Sequence, residues 1–156
     1  MSMRLESSAF DDGESLPERH TCDGAGVSPP LNWSQIPSGT KSFVLMCRDP
    51  DAPSGTFSHW IAFDIPVDVT SLQEAIAPEA KRASFRQGRN DFGDIGYGAA
   101  CPPPGHGTHH YHFDLWAIDV DRLEIGSSTD PALDEVRAEA EDHLLGEARL
   151  TGLYER

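Results

Sequence analysis

The sequence predicts a mainly β protein with many turns, on three observations. Its 12 prolines and 14 glycines are spread along the whole chain, as in folds that alternate short strands with turns. Segments 42–47, 59–65 and 110–119 have the hydrophobic patterns of strands, whereas helical features are confined to two segments. The 156 residues contain no internal repeat and no evident linker, so we expect a single domain spanning residues 1–156.

The first two predicted strands are short and strongly apolar. The run "SFVLMC" at 42–47 is continuously apolar, which is typical of a strand buried on both faces. A turn-rich segment, "RDPDAPSG", follows it, and "HWIAFDI" at 59–65 forms the next predicted strand. Simple alternation places His59 on the same face of that strand as Ile61 and Phe63.

The third predicted strand, "HYHFDLWAID" at 110–119, has two distinct faces. Because side chains alternate along a strand, one face carries Tyr111, Phe113, Leu115 and Ala117, and the other carries His110, His112, Asp114 and Trp116. His109 precedes Tyr111 by two residues and therefore lies at the outer end of the apolar face. The segment 147–156 closes the chain as a predicted last strand.

Two helices are predicted between and after these strands. The first, over residues 69–77, has a weak pattern. The second has stronger signals, because Asp130 can cap it, Pro131 suits the first helical position, and an apolar stripe continues to about His143.

The charge balance is strongly acidic and limits the choice of partners. The chain has 26 acidic and 12 basic residues, a formal net charge of −14, and only two lysines, Lys41 and Lys81. Such a surface repels phosphate backbones, so we expect no nucleic-acid partner. Acidic excess with few lysines also favours a salt-loving source, since high salt screens the repulsion between carboxylates. An acidic mesophilic protein is the alternative.

The sequence of the N-terminus and the number of cysteines indicate the cellular compartment of the protein and the redox state of its thiols. The first ten residues lack the apolar core of a signal peptide, and no apolar run reaches the roughly 20 residues of a membrane helix. We therefore predict a cytoplasmic protein with no integral membrane segment. Cys22, Cys47 and Cys101 are odd in number and have no metal-site spacing, so we interpret all three as reduced thiols.

Several ionisable side chains follow or precede the predicted strands. Asp49 comes directly after the first strand, and His59, His109 and Tyr111 lie near the starts of the other two. Each of them also has a purely structural interpretation, such as a turn that an aspartate closes on the backbone. These side chains taken together are compatible with three kinds of site, and the residues alone do not decide among the three.

The first alternative is a metal centre, because histidines two apart on a strand can be ligands, although the familiar spacings of zinc sites are absent. The second is a nucleophilic enzyme that uses Cys101 or Ser58 with His109 and Asp49, although no nucleophile motif surrounds them. The third is an anion-binding pocket. In it imidazoles, a phenol and loop amides donate hydrogen bonds, and Asp49 orients an imidazole.

Taken in order, the motifs resemble those of the phosphatidylethanolamine-binding protein (PEBP) family. The resemblance lies in "RDPDAPSGTFSHWIAFDIP" and "GYGAACPPPGHGTHHYHFDLWAID", and it extends over nearly the whole chain from Phe10 to Arg156. The chain is most similar to the compact bacterial and archaeal branch, often called Raf kinase inhibitor-like. This resemblance implies a β-sandwich of two antiparallel sheets, partly Greek key, with a few short helices.

The resemblance also implies a small pocket for phosphate-type anions or phospholipid headgroups. The positions that match the family's ligand-binding residues are Asp49, His59, Pro103, His109 and Tyr111. Those that would support the pocket wall are Asp51, Cys101, Pro102 and Gly107. Cys101 stands where the family commonly has a small residue, and His106 and His110 add imidazoles to the loop. The C-terminal helix of larger members is not evident, which implies a more open mouth and weakens the lipid interpretation.

We therefore predict a non-enzymatic binding protein that uses no cofactor and no metal. Its predicted partner is a small anionic ligand, either phosphate or a phospholipid headgroup. The alternative is a regulator of a kinase or protease that is gated by a phosphorylated ligand, and a metal-dependent hydrolase is the least favoured interpretation. A protein partner such as a kinase and a homodimer both stay open.

Overall fold

The strands form two sheets, as the computed structural model shows for residues 2–81, 84–126 and 129–156. The smaller sheet of the described chain has the order β1-β3-β6, and the larger one has the order β2-β9-β8-β4-β5-β7. The small-sheet strands are β1 (Arg4–Glu6), β3 (Leu31–Ser34) and β6 (Ser71–Leu72). The large-sheet strands are β2 (Glu14–Ser15), β4 (Ser42–Asp49), β5 (Phe57–Pro66), β7 (Arg86–Gln87), β8 (His109–Ile118) and β9 (Leu144–Tyr154).

The pairing within the sheets is antiparallel at every strand pair except one at the edge. There β2 runs parallel to β9, with Glu14 opposite Gly152. The prediction of a mainly β fold built on two sheets is confirmed, and this short parallel pair is a local departure from it.

The main core lies between the two sheets. Trp33 of β3 packs edge-on against Phe43 of β4, with ring centroids 5.5 Å apart. Leu5 and Leu31 of the small sheet lie in the same core as Phe113 of β8. The alternation predicted for β8 is confirmed, because Tyr111, Phe113, Leu115 and Ala117 all face this core, whereas Trp116 and Ile118 face the opposite side.

A second core lies on the other face of the large sheet, under helix α1 (Leu133–Glu141). Val44 and Met46 of β4 contribute to this core, and α1 contributes Val136 and Ala140, all fully buried. Because the small sheet covers one face of β4 and α1 covers the other, the continuous apolar run at 42–47 is buried on both faces, as predicted.

The predicted helices are wrong in two respects. Residues 69–77 contain β6 instead of a helix, because Leu72 pairs with Leu31 and is buried in the small sheet. Helix α1 begins at Leu133 with Ala132 as its N-cap, and Asp130 does not cap it. The Pro131 carbonyl accepts a 2.9 Å hydrogen bond from the N–H of Arg89, which holds the residues before the helix in an extended conformation.

Besides α1, the described part of the chain has one short 3-10 helix, Glu18–His20. Neither of the two has the length and hydropathy needed to cross a bilayer.

Candidate functional site

Three central strands bring distant residues together at one end of the large sheet. β4 is antiparallel to both β5 and β8, so the end of β4 meets the starts of β5 and β8. Asp49 is the last residue of β4, His59 lies near the start of β5, and His109 is the first residue of β8. These side chains and Tyr111 line a cavity of about 230 Å³.

Asp49 is the buried centre of this arrangement, with only 3 % of its surface exposed. Its Oδ2 accepts a 2.6 Å hydrogen bond from Nδ1 of His109, and its Oδ1 accepts one of 2.8 Å from the N–H of Asp51. A carboxylate can only accept, so His109 carries a proton on Nδ1. Asp49 thus fixes both the tautomer and the orientation of the His109 ring.

The second ring nitrogen of His109 also has a partner. Its Nε2 lies 2.7 Å from Nδ1 of His106, and the two ring centroids are 5.0 Å apart. His106 is exposed whereas His109 is buried, so a chain of hydrogen bonds connects buried Asp49 to the solvent through two imidazoles. A ligand can therefore accept from Nε2 of His109 only when His106 turns aside.

His59, unlike His109, has a hydrogen-bond partner on only one ring nitrogen in the described part of the chain. Its Nδ1 donates to the carbonyl of Gly98 at 2.7 Å, which leaves Nε2 without a partner in the described part of the chain. Burial lowers the pKa of His59, opposed by its hydrogen bond to Gly98 and by the nearby Asp49 charge. In neutral His59 the Nε2 atom is a hydrogen-bond acceptor, and it becomes a donor only when the ring takes up a proton.

The face of His59 differs from the one that alternation predicts. Along β4, Cys47 pairs with Trp60 and the next residue, Arg48, pairs with Ser58, so His59 is the extra residue of a β-bulge. The bulge breaks the alternation and directs His59 toward Tyr111, 5.2 Å away between ring centroids, on the side of the main core. Our prediction that His59 shares a face with Ile61 is therefore wrong.

Tyr111 contributes a phenol at the base of the cavity. It is 1 % exposed, and burial together with the neighbouring Asp49 carboxylate raises the pKa of Tyr111 far above its ordinary value. The hydroxyl consequently stays protonated at any physiological pH, and the Asp49 carboxylate is its hydrogen-bond partner.

The walls of the cavity are mostly apolar. Pro102, Pro103 and Cys101 line one side, as the resemblance implied, and the rings of Phe57 and Phe92 line the other. Neither phenylalanine was among the predicted site residues, and the same is true of three further lining residues in the turn after β4: Ala52, Pro53 and Ser54.

Phe92 had a weak sequence signal, since it is a large apolar residue within the turn "NDFGD". Its ring centroid lies 4.7 Å from Phe57 and 5.6 Å from His59, although half of its surface is exposed. Gly98 allows this approach, because a Cβ there would lie 2.4 Å from the Phe92 ring.

Two of the predicted wall residues do not border the cavity. The Asp51 carboxylate accepts from Nδ1 and the backbone N–H of His110, both at 2.8 Å, on the outer face of β8. Asp51 supports the site only through its own N–H, which holds Asp49. Gly107 is exposed in the loop before β8, where its φ of +89° suits glycine.

The prediction of three reduced thiols is wrong for two of them. Cys22 and Cys101 form a disulfide across 79 residues of sequence, and Cys47 is the free, buried thiol. The odd count had argued against a disulfide framework, but it does not exclude one bond between distant loops. Cys101 therefore has no thiol with which to act as a nucleophile, and its loop is tied to the turn that contains Cys22.

Within the described ranges, no three His, Cys, Asp or Glu side chains are grouped in a way that could hold a metal ion.

Comparisons with known proteins agree with this architecture. The pattern of the family described as phosphatidylethanolamine-binding protein matches residues 6–155. A UPF0098 protein of Methanothermobacter thermautotrophicus is 46% identical over 157 residues, which cover 99% of either chain. One from Aquifex aeolicus is 42% identical over 99% of this chain and 89% of its own.

A solved structure has a closely similar fold. YbcL of Escherichia coli, described as a member of the mammalian PEBP family, superposes with a TM-score of 0.92 at 34% identity. The superposition covers 100% of this chain and 99% of that one. With its bacterial and archaeal relatives, the chain therefore belongs to the phosphatidylethanolamine-binding protein family.

Proposed function

We propose that this protein is a non-enzymatic binding protein whose 230 Å³ cavity takes a phosphate-type anion. One observation carries the proposal. Four polar side chains from three separate strands, those of Asp49, His59, His109 and Tyr111, converge on a single cavity with apolar walls. Apolar pockets with a few convergent polar groups are the usual form of small-ligand sites.

The four polar side chains have two kinds of role: the Asp49 carboxylate orients a ring, and His59, His109 and Tyr111 are the groups that could donate to an anion. Asp49 holds His109 through one oxygen and accepts the N–H of Asp51 with the other, so its part in the site is to orient the ring. The Tyr111 hydroxyl is always protonated but must turn from Asp49 to donate to an anion, whereas Nε2 of His59 donates only when the ring is protonated. Anion binding is therefore accompanied by proton uptake, and the resulting hydrogen bonds are charge-assisted.

The apolar walls favour a ligand that carries a small apolar or amphipathic group beside its anion. Phe57, Phe92 and Pro103 border the cavity next to the polar base, and Phe92 is half exposed at its mouth. A phosphate monoester with a short arm fits this division better than a bare ion. The phosphate of such a ligand can come from a free metabolite or from a phospholipid headgroup.

Calorimetric titration tests the proposal and separates the two sources. Sulfate serves as the simplest probe, and inorganic phosphate, phosphoethanolamine and phosphatidylethanolamine vesicles extend the series. We expect soluble anions to bind at pH 6 and phosphoethanolamine to bind more tightly than phosphate. Binding only to vesicles would assign the pocket to lipid, whereas no binding of any of the four would contradict the proposal.

The cytoplasmic location is part of the proposal, and the Cys22–Cys101 disulfide provides its test. Such bonds are rare in reducing cytosol, with hyperthermophilic organisms as the main exception. Alkylation of the protein in freshly lysed source cells counts its free thiols. Three thiols support a reducing cytoplasm, and one thiol supports an oxidising compartment or a hyperthermophilic cytosol.

A further inference from the structure

A second cavity lies at the opposite end of the central strands. Lys41 directly precedes β4, Pro66 ends β5, and Asp121 and Arg122 follow β8, so these residues meet at the end of the sheet away from Asp49. β4 is 8 residues long, which separates the two ends by about 23 Å at 3.3 Å per residue. This cavity, here called the lysine groove, has a volume of about 340 Å³.

The lysine groove contains an unusual share of the chain's positive charge. Both lysines of the protein line it, together with Arg86 and Arg122. These are four of the 12 basic residues in a chain whose net charge is −14. In so acidic a protein, cations gathered at one place create a local field opposite in sign to that of the molecule.

Three of these four cations also lack a carboxylate partner. Among the described residues, Lys41, Lys81 and Arg122 make no ion pair within 4.0 Å, although the chain has 26 acidic residues. Most described arginines elsewhere do pair, as Arg19 does with Glu74 at 2.8 Å. Arg137 lacks a carboxylate too, but its guanidinium lies over the Trp116 ring, 5.3 Å from the centroid.

The base of the groove is rigidly built. Arg86 lies over the Phe63 ring at 4.7 Å and pairs with Asp64 at 3.9 Å. Asp64 is buried, and its Oδ1 accepts a 2.9 Å hydrogen bond from the N–H of Leu123. Phe85 is 6 % exposed and completes an apolar floor with Pro66 and Val67. Two further carboxylates, Asp68 and Asp121, border the groove and leave its described lining with an excess of one positive charge, four against three.

We propose that the lysine groove is a second anion site, which binds a small oxyanion of the sulfate or phosphate type through Lys41, Lys81 and Arg122. The described Lys41, Lys81 and Arg122 have no carboxylate within 4.0 Å, although the charge of Arg122 acts on Asp64 from farther away. Asp64 itself is paired with Arg86 and with a backbone N–H. Three donors on three different loops can surround one tetrahedral anion. The net excess of a single charge favours a compact anion over a polyanion.

The two anion sites differ in how they respond to pH, which allows them to be tested separately. At pH 8 the His59 ring is neutral, because burial lowers its pKa, whereas lysine and arginine side chains ordinarily keep their charge. Sulfate keeps the same charge across this range and is therefore the probe. We expect sulfate at pH 8 and low ionic strength to shift the backbone NMR signals of Val67 and Leu123, with little change at Gly98 and Tyr111.

A charge-matched pair of variants tests the assignment. Lys41→Gln/Arg122→Gln should weaken sulfate binding at pH 8 by about tenfold or more, because two charged donors are lost. The control, Arg4→Gln/Arg19→Gln, makes the same change in net charge at exposed sites outside the groove and should alter the affinity by less than about twofold. Thermal melting of both variants checks that they fold.

Three results would overturn the second site: no sulfate binding at pH 8, equal affinity of the two double variants, or NMR shifts confined to the Asp49 cavity. None of them affects the proposed function, which depends on binding at acidic pH. Conversely, a His109 variant could lose sulfate binding at acidic pH while sulfate still shifts the NMR signals of Val67 and Leu123 at pH 8. That result would support the lysine groove as a separate site.

Discussion

His109 and His110 are neighbours in sequence with opposite environments, which provides a matched pair for mutation. His109 is 1 % exposed and bonded to Asp49, whereas His110 is exposed and bonded to Asp51 on the outer face. We predict that His109→Ala weakens sulfate binding at pH 6 by about tenfold or more, because the hydrogen-bonding ring that Asp49 holds at the cavity is lost. His110→Ala should change the affinity by less than about twofold.

Titration calorimetry at pH 6 compares both variants in the Lys41→Gln/Arg122→Gln background, so that sulfate bound in the lysine groove does not contribute to the measured affinity. Equal losses in the two variants would mean that the two faces of β8 do not differ in function, and would contradict the assignment of His109 to the site.

His59 determines the sign of the pH dependence. Burial lowers its pKa below the ordinary 6.5, so the ring of the free protein is neutral at pH 7 and its Nε2 repels an oxyanion. An anion favours the protonated ring, so affinity rises as pH falls. The rise continues below pH 6.5 and stops only at the lowered pKa of the free protein. The limit for one coupled proton is tenfold per pH unit.

Sulfate titrations between pH 8 and pH 5 in the Lys41→Gln/Arg122→Gln background test this dependence, because the charge of sulfate is constant over the range and the lysine groove no longer contributes. In His59→Gln the slope should become smaller, and in His110→Ala it should not. An affinity that is flat across the range, or that falls toward acid, would remove His59 protonation from the mechanism.

Alternation along a strand predicts which face a side chain occupies only where the strand has no bulge. The period of two along β8 correctly placed His109 and Tyr111 on the core side and His110 on the outer side. The same rule failed at His59, because the bulge opposite Cys47 and Arg48 depends on pairing with β4. A register shift between two strands leaves no signal in the sequence of either strand alone.

At the scale of elements, the proline-rich loop before β8 is held from both sides. The disulfide ties Cys101 to Cys22, and Arg156 reaches Sγ of Cys101 and the Pro102 carbonyl, each at 3.4 Å. The Arg156 carbonyl in turn accepts the N–H of Gly105 at 2.9 Å. Because Cys101, Pro102 and Pro103 form one wall of the cavity, these contacts fix the shape of the site.

Removal of the disulfide should therefore affect stability and binding together. For a separation of 79 residues, the loss of loop-closure entropy in the unfolded chain corresponds to about 4.5 kcal/mol, and measured effects are often about 2–4 kcal/mol. We predict that Cys22→Ser/Cys101→Ser lowers the free energy of unfolding by about that amount and weakens sulfate binding at pH 6.

Urea unfolding with and without a reductant measures the stability change. The reductant should destabilise the unmodified protein and leave the double variant unaffected, since the remaining Cys47 is buried and unpaired. A variant with the same unfolding midpoint as the oxidised protein would contradict the structural role of the bond.

The predicted elements succeeded where local pattern and tertiary environment agree. The strands at 42–47, 59–65 and 110–119 are all present, and β4 is buried on both faces as its unbroken apolar run indicated. The helix predicted at 69–77 failed because Leu72 is buried by pairing with Leu31, about forty residues away in sequence. The Cys22–Cys101 bond was missed for the same reason, since only the fold brings the two loops together.

At the scale of the whole molecule, the charge predicts a dependence on salt. With 26 acidic residues against 12 basic ones, the folded chain concentrates like charges that are farther apart when it unfolds. Salt screens this repulsion, so we predict that the melting temperature rises between low and molar potassium chloride. A melting temperature that is independent of salt would contradict a salt-loving origin.

The family resemblance correctly predicted the two-sheet fold, because specific motifs were present over nearly the whole chain, and its set of binding residues stays a prediction. It could not predict His106 as a partner of His109, the aromatic wall of Phe57 and Phe92, or the lysine groove. These features result from how loops of this particular sequence pack, so they required the structure.

The central claim is that Asp49, His59, His109 and Tyr111 form one anion site. A crystal structure of the protein soaked with selenate near pH 5.5 tests it directly, because selenium can be located by its anomalous scattering. The account predicts a selenium peak in the cavity, with selenate oxygens within hydrogen-bonding distance of Nε2 of His59 and of the Tyr111 hydroxyl. A cavity without selenate at a concentration that fills other sites would contradict it.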